Sequence, residues 1–429
     1  MARGVRRTAR DDVDRAARLS NRRSGGGVFE TDCLVVGAGV IGLAIARRLA
    51  MDGRDVVVLE REGAIGTHTS SRSNEVIHAG IYHRPGGPQA ILCGNGREAL
   101  YAYCAGHGVE HRQIGKLVAA TDAESVGWLE DMHARAVVNG VPDLEMLSGP
   151  AAEKLEPNLR CHAALWSRRT GIVDTHGLLL AYRGDAESHG AMLALNSPFV
   201  SARRDGGQFV VDAGAAQGER TRIRCAILIN AAGIWAPEVA RAIEGMAQER
   251  IPRIYLAKGA FFSLRGKSPF GRLIVPEPKT WRQGGIFTLD LAMRGRFGPD
   301  EGWVDTVDYD LEGWPIAHVY AAVRRYFPAL PDGSLTLDYA GIRPRLNGPG
   351  GAPADWLLQG ENEHGLPGLI NLFGLESPGI TASLPIADAV AGMLAGRPPP
   401  FAVDPTQYGN YHPPGAVAAQ LPPKQDGKK

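Results

Sequence analysis

The sequence predicts an α/β protein in which a discontinuous nucleotide-binding domain carries an inserted α+β substrate domain built on an antiparallel sheet. Three observations predict it. The stretch Asp32 to Glu60, DCLVVGAGVIGLAIARRLAMDGRDVVVLE, reads as strand, glycine turn, helix and strand, a Rossmann-like βαβ unit. The run Ala226 to Ala232 is apolar but for Asn230, as in a strand buried within a parallel sheet, and Leu369 to Phe373 supplies a last, largely apolar strand. From about Pro237 to Asp338 short strands such as YLAKGAFFSL and GGIFTLDL alternate with Gly and Pro breaks, which suits an antiparallel sheet.

The opening unit carries the G-x-G-x-x-G spacing at Gly37, Gly39 and Gly42. The first glycine allows a tight turn, the second lets pyrophosphate approach the backbone, and the third lets helix pack on strand. The helix, about Val40 to Met51, then faces the phosphates with unpaired N–H groups and the positive end of its dipole, which brings Val40 and Ile41 to the cofactor. Glu60 ends the second strand, Val56 to Leu59, where an acidic side chain accepts hydrogen bonds from ribose hydroxyls, with Arg61 beside it.

Taken in order, residues 1–28 hold eight arginines and the Gly25-Gly26-Gly27 hinge and read as a disordered basic arm. Asp11, Asp12 and Asp14 count against a transit peptide. The small polar loop with Thr67, Ser70, Ser71, Ser73 and Asn74 suits a surface lying on a polar cofactor. A helix over Gln89 to His107, a strand over Gln113 to Thr121, a helix over Ala123 to Asn139 and a short capped helix ended by Pro157 follow. GIVDTHGLLLAYRGDAESHGAML is a turn and an amphipathic helix. Phe209 to Asp212 and Thr221 to Arg224 form a hairpin. Later helices cover His318 to Tyr326 and Thr381 to Leu394, and residues 401–429 are a Pro-rich tail. The implied domains are 29–110, 165–236 and 339–400 for the nucleotide, and 111–164 and 237–338 for the substrate.

Composition narrows the function. With 429 residues, 44% hydrophobic, a net charge of +1 and a pI near 7.7, nothing favours nucleic acid as a partner, and small-molecule chemistry is the expectation. Five widely spaced cysteines with no C-x-x-C pair argue against a disulfide framework and a zinc site, so no metal is expected. They suit a reducing compartment, read as the cytoplasm. The apolar run around the opening turn is cut by Arg47 and Arg48, so no transmembrane segment is expected.

The cofactor is read as FAD rather than NAD because a long, tightly held dinucleotide needs walls from later segments, and two are present. The strand ending in NAAG brings Ala232 and Gly233 to the adenosine side. GLESPGIT brings Glu376, Ser377, Gly379 and Thr381, with a helix end, to the isoalloxazine, where preorganised donors stabilise reduced flavin.

VIHAGIYH, LCGNGREALYAYC, GKLVAA, KGAFFSL, YAGIRPRL and NLFGLESPGITASLPIA resemble the FAD-dependent L-2-hydroxyglutarate dehydrogenase/oxidase family within the D-amino-acid-oxidase-like (DAO) flavoproteins, from about residue 32 to 397. The resemblance implies an FAD enzyme oxidising the C–H bond of an L-2-hydroxy acid to the 2-oxo acid by hydride transfer to flavin N5, with oxygen or a quinone as electron acceptor. A quinone would require a visit to a membrane surface. The chain departs from the family pattern in three places: Ile286 stands where a histidine is usual, His83 where tyrosine is usual, and Glu75 where one branch has glycine.

Such chemistry needs a cation for the carboxylate, a base for the hydroxyl proton and a dry slot. Arg343 is the first choice for the carboxylate, through bidentate pairing, and Lys258 is the candidate for a second carboxylate. His78 is the candidate base, with His83 in reserve. Two other functions stay open at this point: an amine or amino-acid oxidase of the same superfamily, and a flavin-binding subunit without turnover.

Overall fold

The computed structural model describes residues 23–24, 28–141, 143–214, 220–278, 284–351 and 354–401. Most of the basic arm and all of the tail beyond Phe401 lie outside these residues.

The nucleotide sheet is assembled around two parallel neighbours, Val28–Val36 and Thr221–Asn230, paired from Arg222↔Val28 to Asn230↔Val36. Val56–Leu59 and Met192–Ala194 extend it in parallel on one side. The other edge of Thr221–Asn230 is shared. Its first half takes Gln208–Ala213 in an antiparallel hairpin, which continues to Phe199–Asp205, and its second half takes Leu369–Phe373 in parallel. Leu357–Gln359 closes that end. Thr221 to Arg224 and Ala226 onward, expected as separate strands, are thus one strand, because its edge is supplied by two different partners in succession. It stops at Asn230, whose side-chain amide donates to the Ala236 carbonyl at 2.8 Å and to Asn371 Oδ1 at 3.0 Å.

Helices Val40–Met51, Pro88–His107, Thr175–Ser188 and Gly379–Leu394 pack together on one face of this sheet. Small residues make the packing close. Gly96 lies where a Cβ would come within 2.1 Å of the Thr381 carbonyl oxygen. A second apolar layer, including Leu34, Phe209, Leu228 and Phe373, covers the opposite face. The helix expected at Ala123 to Asn139 begins with a 3₁₀ turn, Ala123–Ser125, capped by Asp122 Oδ1 accepting the Ser125 N–H at 3.0 Å, before Val126–Val138.

The second sheet has eight strands in the order Leu335–Arg345, Tyr255–Leu264, Gly295–Val304, Phe287–Leu289, Leu273–Pro276, Lys116–Ala120, Ala163–Ser167 and Leu144–Ser148. Both inserted segments contribute to it. All pairs are antiparallel except Leu273–Pro276 with Lys116–Ala120. Leu335–Arg345 crosses the expected boundary at 339 and pairs along its length with Tyr255–Leu264, so Arg343 reaches the site from this sheet rather than from the nucleotide domain. A third, short sheet joins Val76–Ile77, Gly171–Val173 and His111–Arg112. The five cysteines are free, and four of them are buried.

Candidate active site

The glycine turn is fixed by contact distances. Gly37 has φ +104°, donates to the Leu59 carbonyl at 2.8 Å, and would place a Cβ 2.6 Å from the Ala231 carbonyl oxygen. A Cβ on Gly42 would lie 1.9 Å from the Gly37 carbonyl oxygen. Neither position has room for a side chain, and the helix N-terminus is thereby held against the strand end with no side chain of Gly39 over it. Ser70 Oγ accepts the Val40 N–H at 3.0 Å. Glu60, 9% exposed, accepts the Ala38 N–H at 2.8 Å through one oxygen and the Glu62 N–H at 2.9 Å through the other, which aims its carboxylate across the turn.

A cavity of about 450 Å³ opens from this turn to the second sheet. It is lined by Gly37, Gly39, Val40, Ile41, Glu60, Arg61, Ser70, Asn74, Ala232, Gly233, Glu376, Ser377 and Gly379, all expected at the cofactor, and by His78 and Arg343. A cradle without side chains at the turn, an acidic side chain at the strand end and a helix N-terminus together fit a dinucleotide.

Three expected cofactor residues do not line the cavity. Gly42 acts by closeness to Gly37. Ser71 is exposed, with its hydroxyl toward the His68 carbonyl at 3.4 Å. Thr381 is fully buried, its hydroxyl accepting the His78 N–H at 2.9 Å and facing the Val76 carbonyl at 3.4 Å, so it braces the loop behind the cavity.

At the substrate end His78 Nε2 lies 3.1 Å from Ser377 Oγ, while Nδ1 is buried and meets no hydrogen-bond partner among the described residues. Burial holds the imidazole well below its ordinary pKa, and interactions with Lys116, His83 and Arg343 add to the effect, so His78 is unprotonated near neutral pH and able to accept a proton. Lys116, 2% exposed, has its ammonium 4.4 Å from the Tyr82 ring centroid, and burial brings its pKa down to about 7.

Arg343 stands in a four-charge group. Its Nη1 is 3.2 Å from Glu376 Oε2 and its Nε 3.3 Å from Glu301 Oε1. Arg345 Nη2 is 2.8 Å from Glu301 Oε2.

Two expected catalytic residues lie elsewhere. Gly259 and Phe261 line the cavity, and strand alternation sends Lys258 to the other face. There it is 3% exposed, with its ammonium 3.1 Å from Asp308 Oδ2 and bonded to the Asp310 carbonyl. His83 is also outside the cavity lining. Its carbonyl accepts from Asn139 at 2.9 Å, and burial, with Lys116 nearby, drives its pKa to about 4. Ile286 does not line the cavity, its carbonyl accepting the Gly298 N–H at 2.8 Å. Glu75 has φ +58°, a conformation that explains why glycine suits this position in part of the family.

Arg345 and Glu301 in this charge group, and Arg72 and His68 on the cavity wall, are not among the residues expected from the sequence. Arg345 was the legible one, since it lies two residues from Arg343 on a strand and therefore on the same face.

The family model described as FAD dependent oxidoreductase (DAO) matches residues 32–393. The chain is 37% identical over 398 residues to an L-2-hydroxyglutarate dehydrogenase, mitochondrial, of Arabidopsis thaliana, covering 84% of this chain and 82% of that protein. It is 28% identical to the protein of the same name in Caenorhabditis elegans, covering 85% and 93%. Among solved structures, an L-alpha-glycerophosphate oxidase from Mycoplasma pneumoniae with FAD bound aligns with a TM-score of 0.76 at 21% identity, over 89% of this chain and 98% of that one. A glycine oxidase from Geobacillus kaustophilus aligns at 0.71 and 20%, over 89% and 99%. The last two likenesses concern fold.

Proposed function

The chain belongs to the FAD dependent oxidoreductase (DAO) family, and from that premise we propose that it oxidises an L-2-hydroxy acid, of the L-2-hydroxyglutarate kind, to the 2-oxo acid. The observation that carries this reading is the convergence of a neutral, partly buried histidine and an arginine on the cavity that the glycine turn also lines. FAD, held by the turn, Glu60 and the Glu376 to Gly379 segment, supplies the two-electron acceptor for the substrate Cα–H.

The chain's own residues do the rest. Arg343 holds the substrate carboxylate and fixes Cα relative to His78. His78 takes the hydroxyl proton on a ring nitrogen, and Ser377 Oγ holds the ring by its Nε2. Thr381 holds the backbone of His78 in place. Phe261, Ile342 and Leu375 on the cavity wall exclude water.

Oxygen or a quinone takes the electrons in this reading. No helix among the described residues is long and apolar enough to cross a membrane. Free, mostly buried cysteines suit a reducing compartment, which the cytoplasm and the mitochondrial interior both provide.

The test is anaerobic reduction of the purified holoenzyme. Bleaching of the flavin band by L-2-hydroxyglutarate, but not by its D-enantiomer or L-glutamate, is the expected result. Bleaching by L-glutamate alone would overturn the reading in favour of an amino-acid oxidase.

A further inference from the structure

We propose that Glu376 is a displaceable counter-ion on the substrate anchor: the carboxylate of the hydroxy acid takes its place on Arg343, and Glu376 remains on Arg345. This rests on the reading of Arg343 as that anchor. Arg343, Arg345, Glu301 and Glu376 form a closed group with two positive and two negative charges. A substrate carboxylate makes a third anion on two guanidiniums, so one resident carboxylate must give way.

The two are held unequally. Glu301 sits within strand Gly295–Val304, does not line the cavity, and receives Arg345 Nη2 at both oxygens, at 3.0 and 2.8 Å. Glu376 lies in the turn after Leu369–Phe373 and lines the cavity. Among the described residues its carboxylate accepts one hydrogen bond, from Arg343 at 3.2 Å, and its approach to Arg345 Nε at 3.5 Å makes no hydrogen bond. Glu376 is therefore the partner that exchanges. A retained positive neighbour in Arg345 keeps it from being expelled into apolar surroundings.

The group consequently sets a charge rule for the site. Only a ligand that brings a carboxylate of its own can displace Glu376, and its binding is weakened by the ion pair it replaces.

The experiment uses FAD-loaded wild type, E376Q, E376D and R343M, with L-2-hydroxyglutarate as substrate and 2-oxoglutarate binding read from the flavin spectrum. E376Q is expected to lower KM and the 2-oxoglutarate Kd about fivefold, because the competing charge is gone. E376D, its carboxylate drawn back by one methylene, lowers them by a smaller factor. It carries the test by itself if E376Q is isolated without flavin. R343M raises KM at least about fiftyfold if Arg343 is the anchor. Unchanged or higher KM in the flavin-bound Glu376 variants, with R343M impaired, overturns the displacement alone. An unimpaired R343M overturns the anchor, and the displacement with it.

Discussion

Replacing Lys116 by Met tests whether the second sheet tunes the base. Lys116 acts on His78 through charge, second only to burial among the influences that depress the histidine. A like charge close enough to act on a desolvated group disfavours its charged form by on the order of 1–2 kcal/mol, about one pKa unit. The sign follows from both titrations. Lys116 has a pKa of about 7, so it is charged throughout the more acidic range in which His78 gains its proton. Loss of that charge lets His78 hold its proton at higher pH. Wild-type kcat/KM therefore falls as pH drops through a value below 6.5, and in the variant this acid limb moves upward by about one unit. Methionine nearly conserves the volume, so packing survives. The assay is kcat/KM against pH on flavin-loaded enzyme, with the flavin absorbance ratio as a control for occupancy. An acid limb that stays in place, or moves to lower pH, would show that Lys116 does not govern the base.

Gly42→Ala places a methyl group 1.9 Å from the Gly37 carbonyl oxygen, so the protein should be isolated largely as apoprotein or fail to fold, read as the ratio of flavin to protein absorbance. Lys258→Met should leave KM for the hydroxy acid within about twofold of wild type, because the ammonium faces away from the cavity. A large rise in KM would mean that Lys258 reaches the substrate after all. His364, 8% exposed and held at about pKa 4 by burial, is protonated more readily in the unfolded chain. Its contribution to stability is present above about pH 6.5 and lost as pH falls toward 4, about 3 kcal/mol in all, and His364→Gln should flatten the fall in urea midpoint across that interval.

The nucleotide half was legible in sequence because its signals are local. Gly37 to Glu60 spells out strand, turn, helix and ribose clamp within one supersecondary unit, and the observed Val40–Met51 and Val56–Leu59 match their expected ends. His78 and Arg343 were legible through family motifs. Lys258 was misplaced because the choice between two faces of a strand depends on registration against Gly295–Val304 and Leu335–Arg345, which is set by distant pairing. The hydrogen bond between Ser377 and His78 and the pairing of Glu376 with Arg343 join residues far apart in the chain, and no local pattern announces them. The strand Phe199–Asp205 was overlooked because NSPFVSARRD is half polar at a sheet margin.

The divided edge of Thr221–Asn230 has a consequence in time. On the ribosome its first half can be covered at once by the hairpin strand made just before it, while Leu228 to Asn230 wait for Leu369–Phe373, made after the whole of the remaining substrate sheet. Until then an apolar strand end stays open, as a template for any passing β-segment. The turn that carries Glu376 and Ser377 arrives with the same late strand. Flavin retention thus becomes a report on completed synthesis, and nascent chains halted before residue 369 should aggregate rather than accumulate as a flavin-bound intermediate.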